Sequence, residues 1–353
     1  MNRIDKIKDI LNELGLDAIY ITHIPNIRYI SGFSGSSAYL IITKNKNYFF
    51  TDFRYDSQCR EQVKGFDITV NFSPPVKIKE LVDAEGFKNI GFESTHLTVH
   101  QLAQLKESFP DAEFTGLADR IEKMTMVKEA GEIDKIKKAC GITDKVFEKL
   151  LGIIKPGMKE KDVSAEISYW HKLYGADKDS FDPIVASGWR GALPHGAASD
   201  KVIEAGEMVT LDFGCYYDGF ASDLTRTISV GNPGDEMKKI YDTVLLAQTA
   251  AIDAAKEGVT TKELDSIARN IINNAGYEGK FGHGLGHGLG IEVHEMPSVS
   301  QRMDISIPAN VVVTIEPGIY IEGLGGVRIE DDIMITSGGC EVFNKSPKEL
   351  III

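Results

Sequence analysis

Three of the eight histidines fall within twelve positions of the run Gly282-His283-Gly284-Leu285-Gly286-His287-Gly288-Leu289-Gly290-Ile291-Glu292-Val293-His294. Imidazole is the commonest protein metal ligand and exchanges a proton near neutral pH. Alternating glycine lets the backbone pass close to another group. The pattern points to one histidine that binds a metal and others that act on a substrate nearby. The run does not fit G-x-G-x-x-G, and it lacks the Lys-Ser/Thr of a phosphate-binding loop.

A histidine site of this kind needs carboxylates, and two segments supply them. In Val209-Thr210-Leu211-Asp212-Phe213-Gly214 the apolar residues alternate with Thr210 and Asp212, so Asp212 points away from the apolar face of a strand. Asp218-Gly219 signals a turn, and the returning strand carries Asp223, Thr225 and Thr227 on one face. Asp212 and Asp223 can therefore meet across one antiparallel hairpin. In a second segment Val312, Thr314 and Glu316 share a face, Gly323-Leu324-Gly325-Gly326 turns the chain, and Arg328 and Glu330 share a face on the return. Four carboxylates facing one another cannot all stay ionised without a counter-charge. With one imidazole they make a cage for two divalent cations about 3.5–4 Å apart, sharing carboxylates and a water. Oxygen-rich ligation favours Mn²⁺, with Co²⁺, Zn²⁺ and Fe²⁺ also suited.

The elements that must position these groups are duplicated. Val209-Thr210-Leu211-Asp212-Phe213-Gly214 returns 104 positions later as Val313-Thr314-Ile315-Glu316-Pro317-Gly318. Lys155 to Val163 resembles Lys256 to Leu264 at an offset of 101. Thr260 and Glu263 form a capping box, so a helix begins there. The repeat unit is a helix followed by a hairpin, which predicts a pseudo-twofold domain with a site between its halves.

Upstream, residues 1 to about 120 alternate helices and strands, an α/β pattern. Ile4, Ile7, Ile10, Leu11 and Leu14 follow helical spacing; 18–22, 39–42, 48–51 and 90–92 read as strands, and 98–108 as a helix. Residues 26–35 read as a loop, and another helix follows Asp52. His23, His96 and His100 stand isolated and are assigned to structural roles. A charged segment near 120–127 opens a long helix, and the boundary is drawn between residues 1–124 and 125–353. Phe181, Trp189 and Tyr217 are candidates for either a substrate pocket or ordinary packing.

Composition restricts the partners. The 353 residues suffice for about two domains. A hydrophobic content of 42% and a charged content of 26% are those of a globular protein. A net charge of -13 argues against a nucleic-acid backbone as partner. No run reaches the ~18 apolar residues of a membrane helix, and the first residues carry no apolar signal region. Cys59, Cys140, Cys215 and Cys340 lack C-x-x-C pairing, which predicts free thiols and a cytoplasmic location.

These motifs resemble the pita-bread metallopeptidases, the family of methionine aminopeptidase, aminopeptidase P and prolidase. The matching segments are 211–214, 222–227, 282–287, 293–295, 314–320 and 326–331. Asn26 to Ser36 and Thr51 to Tyr55 resemble the N-terminal domain of the aminopeptidase P, prolidase and creatinase branch. The resemblance implies a creatinase-like α/β N-terminal domain and an α+β, pseudo-twofold pita-bread catalytic domain. By position, Asp212, Asp223, His287, Glu316 and Glu330 are the implied metal ligands, so of the clustered histidines only His287 is a ligand. Glu316 is also the implied proton shuttle, His294 steadies the scissile carbonyl oxygen, and His195 contacts substrate. His283 and Arg328 match positions behind the ligands and in the substrate pocket. The implied activity is hydrolysis of the bond before proline in peptides, by a homodimer. Some prolidases carry an arginine shortly after the His294 position to hold a dipeptide's carboxylate; here Ser298 stands there and the nearest arginine is Arg302. That difference favours an aminopeptidase P-like activity over the alternative, a prolidase. A creatinase-like hydrolase or a non-enzymatic peptide-binding module would be expected to have lost ligands.

Overall fold

The computed structural model describes residues 3–353, which divide into a unit ending at Thr125 and a unit running from Met126 to Ile353. In the first, strands β1 (Ala18–Ile21), β2 (Ala38–Thr43), β3 (Asn47–Thr51), β4 (Asp67–Val70), β5 (Asn89–Phe92) and β6 (Glu113–Gly116) form one sheet in the order β4-β3-β2-β1-β5-β6. The two central pairings are antiparallel and the outer ones parallel. Helices α1 (Arg3–Glu13), α2 (Ile24–Ser31), α3 (Asp56–Gln62), α4 (Pro74–Glu85), α5 (Val99–Ser108) and α6 (Arg120–Met126) accompany it. Ile7, Ile10 and Leu11 are the buried stripe of α1, and Thr98 caps α5 through a box with Gln101.

Two expectations for this unit need correction. The stretch read as a loop contains α2. Pro25 lies in its first turn, where the missing N–H has no helical acceptor to lose. Gly32 ends it in the left-handed conformation at φ 76°, donating to the Arg28 carbonyl. His23 and His96 are not isolated either: their rings stack at 3.5 Å, and His96 Nε2 lies 2.7 Å from Glu122 Oε1.

The second unit opens with α7 (Ala130–Leu151) and α8 (Glu160–Leu173), followed by β7 (Lys178–Asp179), β8 (Ile184–Ser187), β9 (Glu207–Phe213), β10 (Cys215–Tyr217), β11 (Phe220–Ala221) and β12 (Leu224–Val230). Then come α9 (Asp235–Ala254), α10 (Thr261–Ile272), β13 (Gly286–Gly288), β14 (Glu295–Val299), β15 (Val312–Ile315), β16 (Gly318–Ile321), β17 (Gly325–Arg328), β18 (Asp331–Thr336) and β19 (Gly339–Val342). Each half is two helices and then a long strand pair, β9 with β12 and β15 with β18. A shorter pair, β10 with β11 or β16 with β17, is inserted between the long partners.

The duplication extends to single hydrogen bonds. Gly157 N donates to Ile203 O at 2.9 Å, and Gly258 N to Ile307 O at 3.0 Å. At the start of both α8 and α10 a carboxylate three residues on accepts from the cap N–H, Asp162 from Lys159 N at 2.9 Å and Glu263 from Thr260 N at 2.8 Å, and the Thr260 hydroxyl completes a capping box in α10. Each half also has its own core. Val146, Phe147, Val163 and Ile167 pack on Val209, Leu211 and Ile228. Ile240, Val244, Leu264 and Ala268 pack on Val313, Ile315 and Ile333. Burial of each such side chain contributes about 1.5–3 kcal/mol, which fixes the apolar strand faces against the helices. Thr210 and Asp212 therefore face away from the helices.

Candidate metal centre

Asp212, Asp223, His287, Glu316, Glu330, His195, His283, His294 and Arg328, the residues to which the resemblance gives site roles, all line one cavity of about 960 Å³. Its floor comes from both halves of the duplication. Asp212 is the penultimate residue of β9, and Asp223 immediately precedes β12; the register pairs Asp212 with Thr225. Glu316 follows β15, and Glu330 sits between β17 and β18. His287 is the middle residue of β13, which pairs with both β14 and β15. Glycine is required beside it: a Cβ on Gly286 would meet Thr314 O at 1.9 Å, and one on Gly288 would meet Met296 O at 2.2 Å. The alternating glycines thus let β13 slide between its neighbours and deliver His287 to the carboxylates.

Ligand atoms of Asp223, His287 and Glu330 lie within 4.8 Å of one another. His287 Nε2 is 3.8 Å from Asp223 Oδ2 and 3.5 Å from Glu316 Oε1. His287 Nδ1 faces the Gly288 carbonyl at 3.1 Å. Its proton therefore belongs on Nδ1, and the Nε2 lone pair faces the acids. Among the acids, Asp223 and Glu330 are buried and Glu316 is half-buried. Burial, then repulsion from Glu330 and Asp212, pushes the Asp223 carboxyl well above its usual range. Burial and Glu330 do the same to Glu316, and burial and Asp212 to Glu330. Burial lowers His287 to about 4.

Around this floor stand groups that fix it. Arg328 Nη2 donates to Asp212 Oδ2 at 2.5 Å, its Nε to Thr225 Oγ1 at 3.1 Å, and its Nη1 to Tyr320 OH at 2.9 Å. Tyr320 OH also lies 2.8 Å from His283 Nε2, and His283 Nδ1 faces the Gly284 carbonyl. Burial lowers His283 to about 4. His294 is exposed to the cavity, with its ring centroid 4.4 Å from that of His287; burial and His195 lower its pKa despite the Asp212 charge. His195 is exposed on the loop after a 3-10 turn, Gly188–Ala192.

The profile of Metallopeptidase family M24 matches residues 134–337. The chain belongs to metallopeptidase family M24. The Creatinase/Prolidase N-terminal domain profile matches residues 3–127 of this M24 member. The chain is similar to the Xaa-Pro dipeptidase of Pyrococcus horikoshii, at 43% identity over 99% of this chain and 98% of the relative. Its fold is similar to that of the Xaa-Pro dipeptidase from Bacillus anthracis, with a TM-score of 0.96 at 44% identity over 99% of both chains. It is also similar to the X-Pro aminopeptidase from Thermotoga maritima MSB8, with a TM-score of 0.92 at 40% identity over the full length of both.

This M24 protein is a metallo-exopeptidase, and its residues fit divalent metal. Asp223 Oδ1 is buried with no hydrogen-bond partner, and three buried or half-buried acids whose charges repel converge with one neutral imidazole lone pair. A divalent cation satisfies all of these at once.

Several functional contacts were absent from the sequence reading. Thr225 Oγ1 donates to Glu330 Oε2 at 2.5 Å. Thr314 Oγ1 accepts from His287 N and donates to Glu316 Oε1. Asp332 Oδ2 accepts from Asp223 N at 2.9 Å and from Cys140 Sγ at 3.2 Å. The available signal was face-sharing: Thr225 lies on the Asp223 face and Thr314 on the Glu316 face. Tyr320 had only its place in the quoted motif. Of the aromatic candidates, Phe181 lines the cavity. Trp189 is exposed outside it, and Tyr217 lies under Lys138 Nζ.

Proposed function

We propose that this chain is an Xaa-Pro dipeptidase, a prolidase, that uses two divalent cations, Mn²⁺ first among them. The observation that carries the reading is the near-full-length similarity to Xaa-Pro dipeptidases in a chain that retains Asp212, Asp223, His287, Glu316 and Glu330 around one cavity. The curated relatives thus favour the alternative over the aminopeptidase P-like reading drawn from Ser298. The aminopeptidase reading stays as the second one, on Ser298 and on the similarity to the Thermotoga maritima X-Pro aminopeptidase.

In this reading the five ligands hold the cations. Bound divalent cations supply Lewis-acid polarisation of the scissile carbonyl and acidify water toward neutral pH. The chain's own groups do the rest. Glu316 takes a proton from the attacking water and returns it to the departing proline nitrogen. The water's hydroxyl ends on the carbonyl carbon, the C–N bond breaks, and a free proline and a free amino acid leave. Neutral His294 donates to the oxygen on which charge develops. Arg328 holds Asp212 in orientation, and Tyr320 ties Arg328 to His283. His195 contacts the substrate from the cavity wall.

The test is the rate of the Mn²⁺-loaded chain on an Xaa-Pro dipeptide against the matching Xaa-Pro-Xaa tripeptide. Cleavage of the dipeptide with little release from the tripeptide supports the dipeptidase. Efficient removal of the first residue from the tripeptide replaces it with the aminopeptidase reading.

A further inference from the structure

We propose that Arg302 is the anchor for the carboxylate of the dipeptide substrate, a specificity-determining residue in place of the position that Ser298 occupies. The proposal rests on the dipeptidase reading above. A dipeptidase must recognise a negative charge one residue beyond the bond it cuts. Fixed positive charge in the cavity comes from three arginines, Arg269, Arg302 and Arg328, and no lysine lines it.

Two of the three are already committed. Arg269 makes a two-pronged pair with Asp265 at 2.7 and 2.8 Å and donates to the carbonyls of Phe281 and His283, each at 2.7 Å. Arg328 is spent on Asp212, Thr225, Tyr320 and the Pro194 carbonyl. Among the described residues, no carboxylate pairs with the Arg302 side chain, which is exposed to the cavity.

The backbone that carries Arg302 is nonetheless held. Its own N–H donates to Ser300 Oγ at 3.4 Å. On one side Gln301 Nε2 donates to Asp265 Oδ2 at 2.7 Å. On the other side Met303 O accepts from Thr261 Oγ1 at 2.6 Å. Both neighbours are therefore fastened to α10, while the guanidinium between them is uncommitted. Such a group offers a carboxylate two parallel hydrogen bonds. Ser298 and Ser300, whose hydroxyls lie 3.1 Å apart, line the same wall and add neutral donors.

The experiment compares three substrates of one sequence: the Xaa-Pro dipeptide, its C-terminal amide and the Xaa-Pro-Xaa tripeptide. Wild type, Arg302→Ala and Arg302→Lys are loaded with Mn²⁺ and assayed on each. Loss of a charge-assisted hydrogen-bond pair costs about tenfold to a hundredfold in affinity. Arg302→Ala is expected to raise KM for the free-acid dipeptide by that factor and to shrink the preference of wild type for acid over amide to about twofold. Arg302→Lys should recover part of the preference, since a point charge replaces a fork. If wild type prefers the free acid and Arg302→Ala keeps that preference, Arg302 is not the anchor and the dipeptidase reading stands. Should wild type show no preference for the free-acid dipeptide over both other substrates, both proposals fall.

Discussion

Removing divalent cations from this protein should destabilise its second unit, and more at pH 7 than at pH 5. Without cations, the carboxyls of Asp223, Glu316 and Glu330 have folded-state pKa values raised above their ordinary range by burial and mutual repulsion. In the unfolded chain they titrate near about 4. Above that pH and below the raised values, the folded state binds more protons than the unfolded state, so stability falls as pH rises. Cations replace those protons, and their contribution is therefore largest where the protons are scarcest. At a free concentration a hundredfold above Kd, one site contributes about 2.7 kcal/mol, and two independent sites about twice that. For a unit of this size each kcal/mol moves Tm by about 2–4 °C, so saturation should raise Tm by about 10–20 °C at pH 7. Both tryptophans, Trp170 and Trp189, lie in the second unit, so tryptophan fluorescence during heating reports that unit alone. The assay is thermal unfolding of chelator-treated and Mn²⁺-saturated protein at both pH values. A Tm gain that is absent at pH 7, or as large at pH 5 as at pH 7, would refute the reasoning.

Other consequences can be checked separately. Glu316→Gln should lower kcat by about 10²–10⁴-fold, the usual range for loss of a proton carrier, and full activity in the variant would sink that assignment. Arg226 is buried with Asp331 at 2.7 Å and donates to the carbonyls of Thr225, Glu330, Ser346 and Pro347. Arg226→Ala leaves Asp331 to Lys348 Nζ at 2.6 Å and Gln248 Nε2 at 2.9 Å but strips four carbonyls of their charged donor, so denaturant unfolding should show a loss of about 3–5 kcal/mol; a loss below about 1 kcal/mol counters the argument that this guanidinium is needed to satisfy them. Sedimentation equilibrium should give twice 38.8 kDa, the homodimer that the family resemblance implies, and a monomer would contradict it.

How far the site was readable depends on what kind of information each part needed. Asp212 and Asp223 were legible because strand alternation is local and the hairpin is closed by an Asp-Gly turn. Glu316 and Glu330 followed because the second half repeats the first. What required three dimensions was the choice among the histidines. Spacing treats His283, His287 and His294 alike, and only the resemblance singled out His287 in advance. In the fold, the Nδ1 of His287 faces the Gly288 carbonyl while its Nε2 faces the acids, whereas His283 Nε2 faces Tyr320. Asp332 was missed because its partners lie far along the chain: it meets Asp223 across 109 positions and Cys140 across 192. Tyr320 was missed because its role depends on tying Arg328 to His283 across the cavity, which spacing alone does not announce.

The N-terminal unit shows the same division. Its well-buried central strands were read correctly, since β2 and β3 are short, nearly continuous apolar runs joined by a polar turn. Helix α2 was hidden because Asn26, Arg28 and Ser31 give it a loop-like composition, although Asn26 and Ser31 are buried. Asn26 is satisfied by Glu93, 67 positions away, a contact that no local pattern announces. The stacking of His23 on His96 is likewise tertiary.

The most direct test of the central claim is Mn²⁺ titration of the chelator-stripped chain while hydrolysis of an Xaa-Pro dipeptide is followed, with Asp223→Asn alongside. The account predicts no turnover in the stripped chain, recovery as cation binds, and little or no recovery in the variant. Undiminished hydrolysis by the stripped chain, or equal recovery in Asp223→Asn, would contradict it.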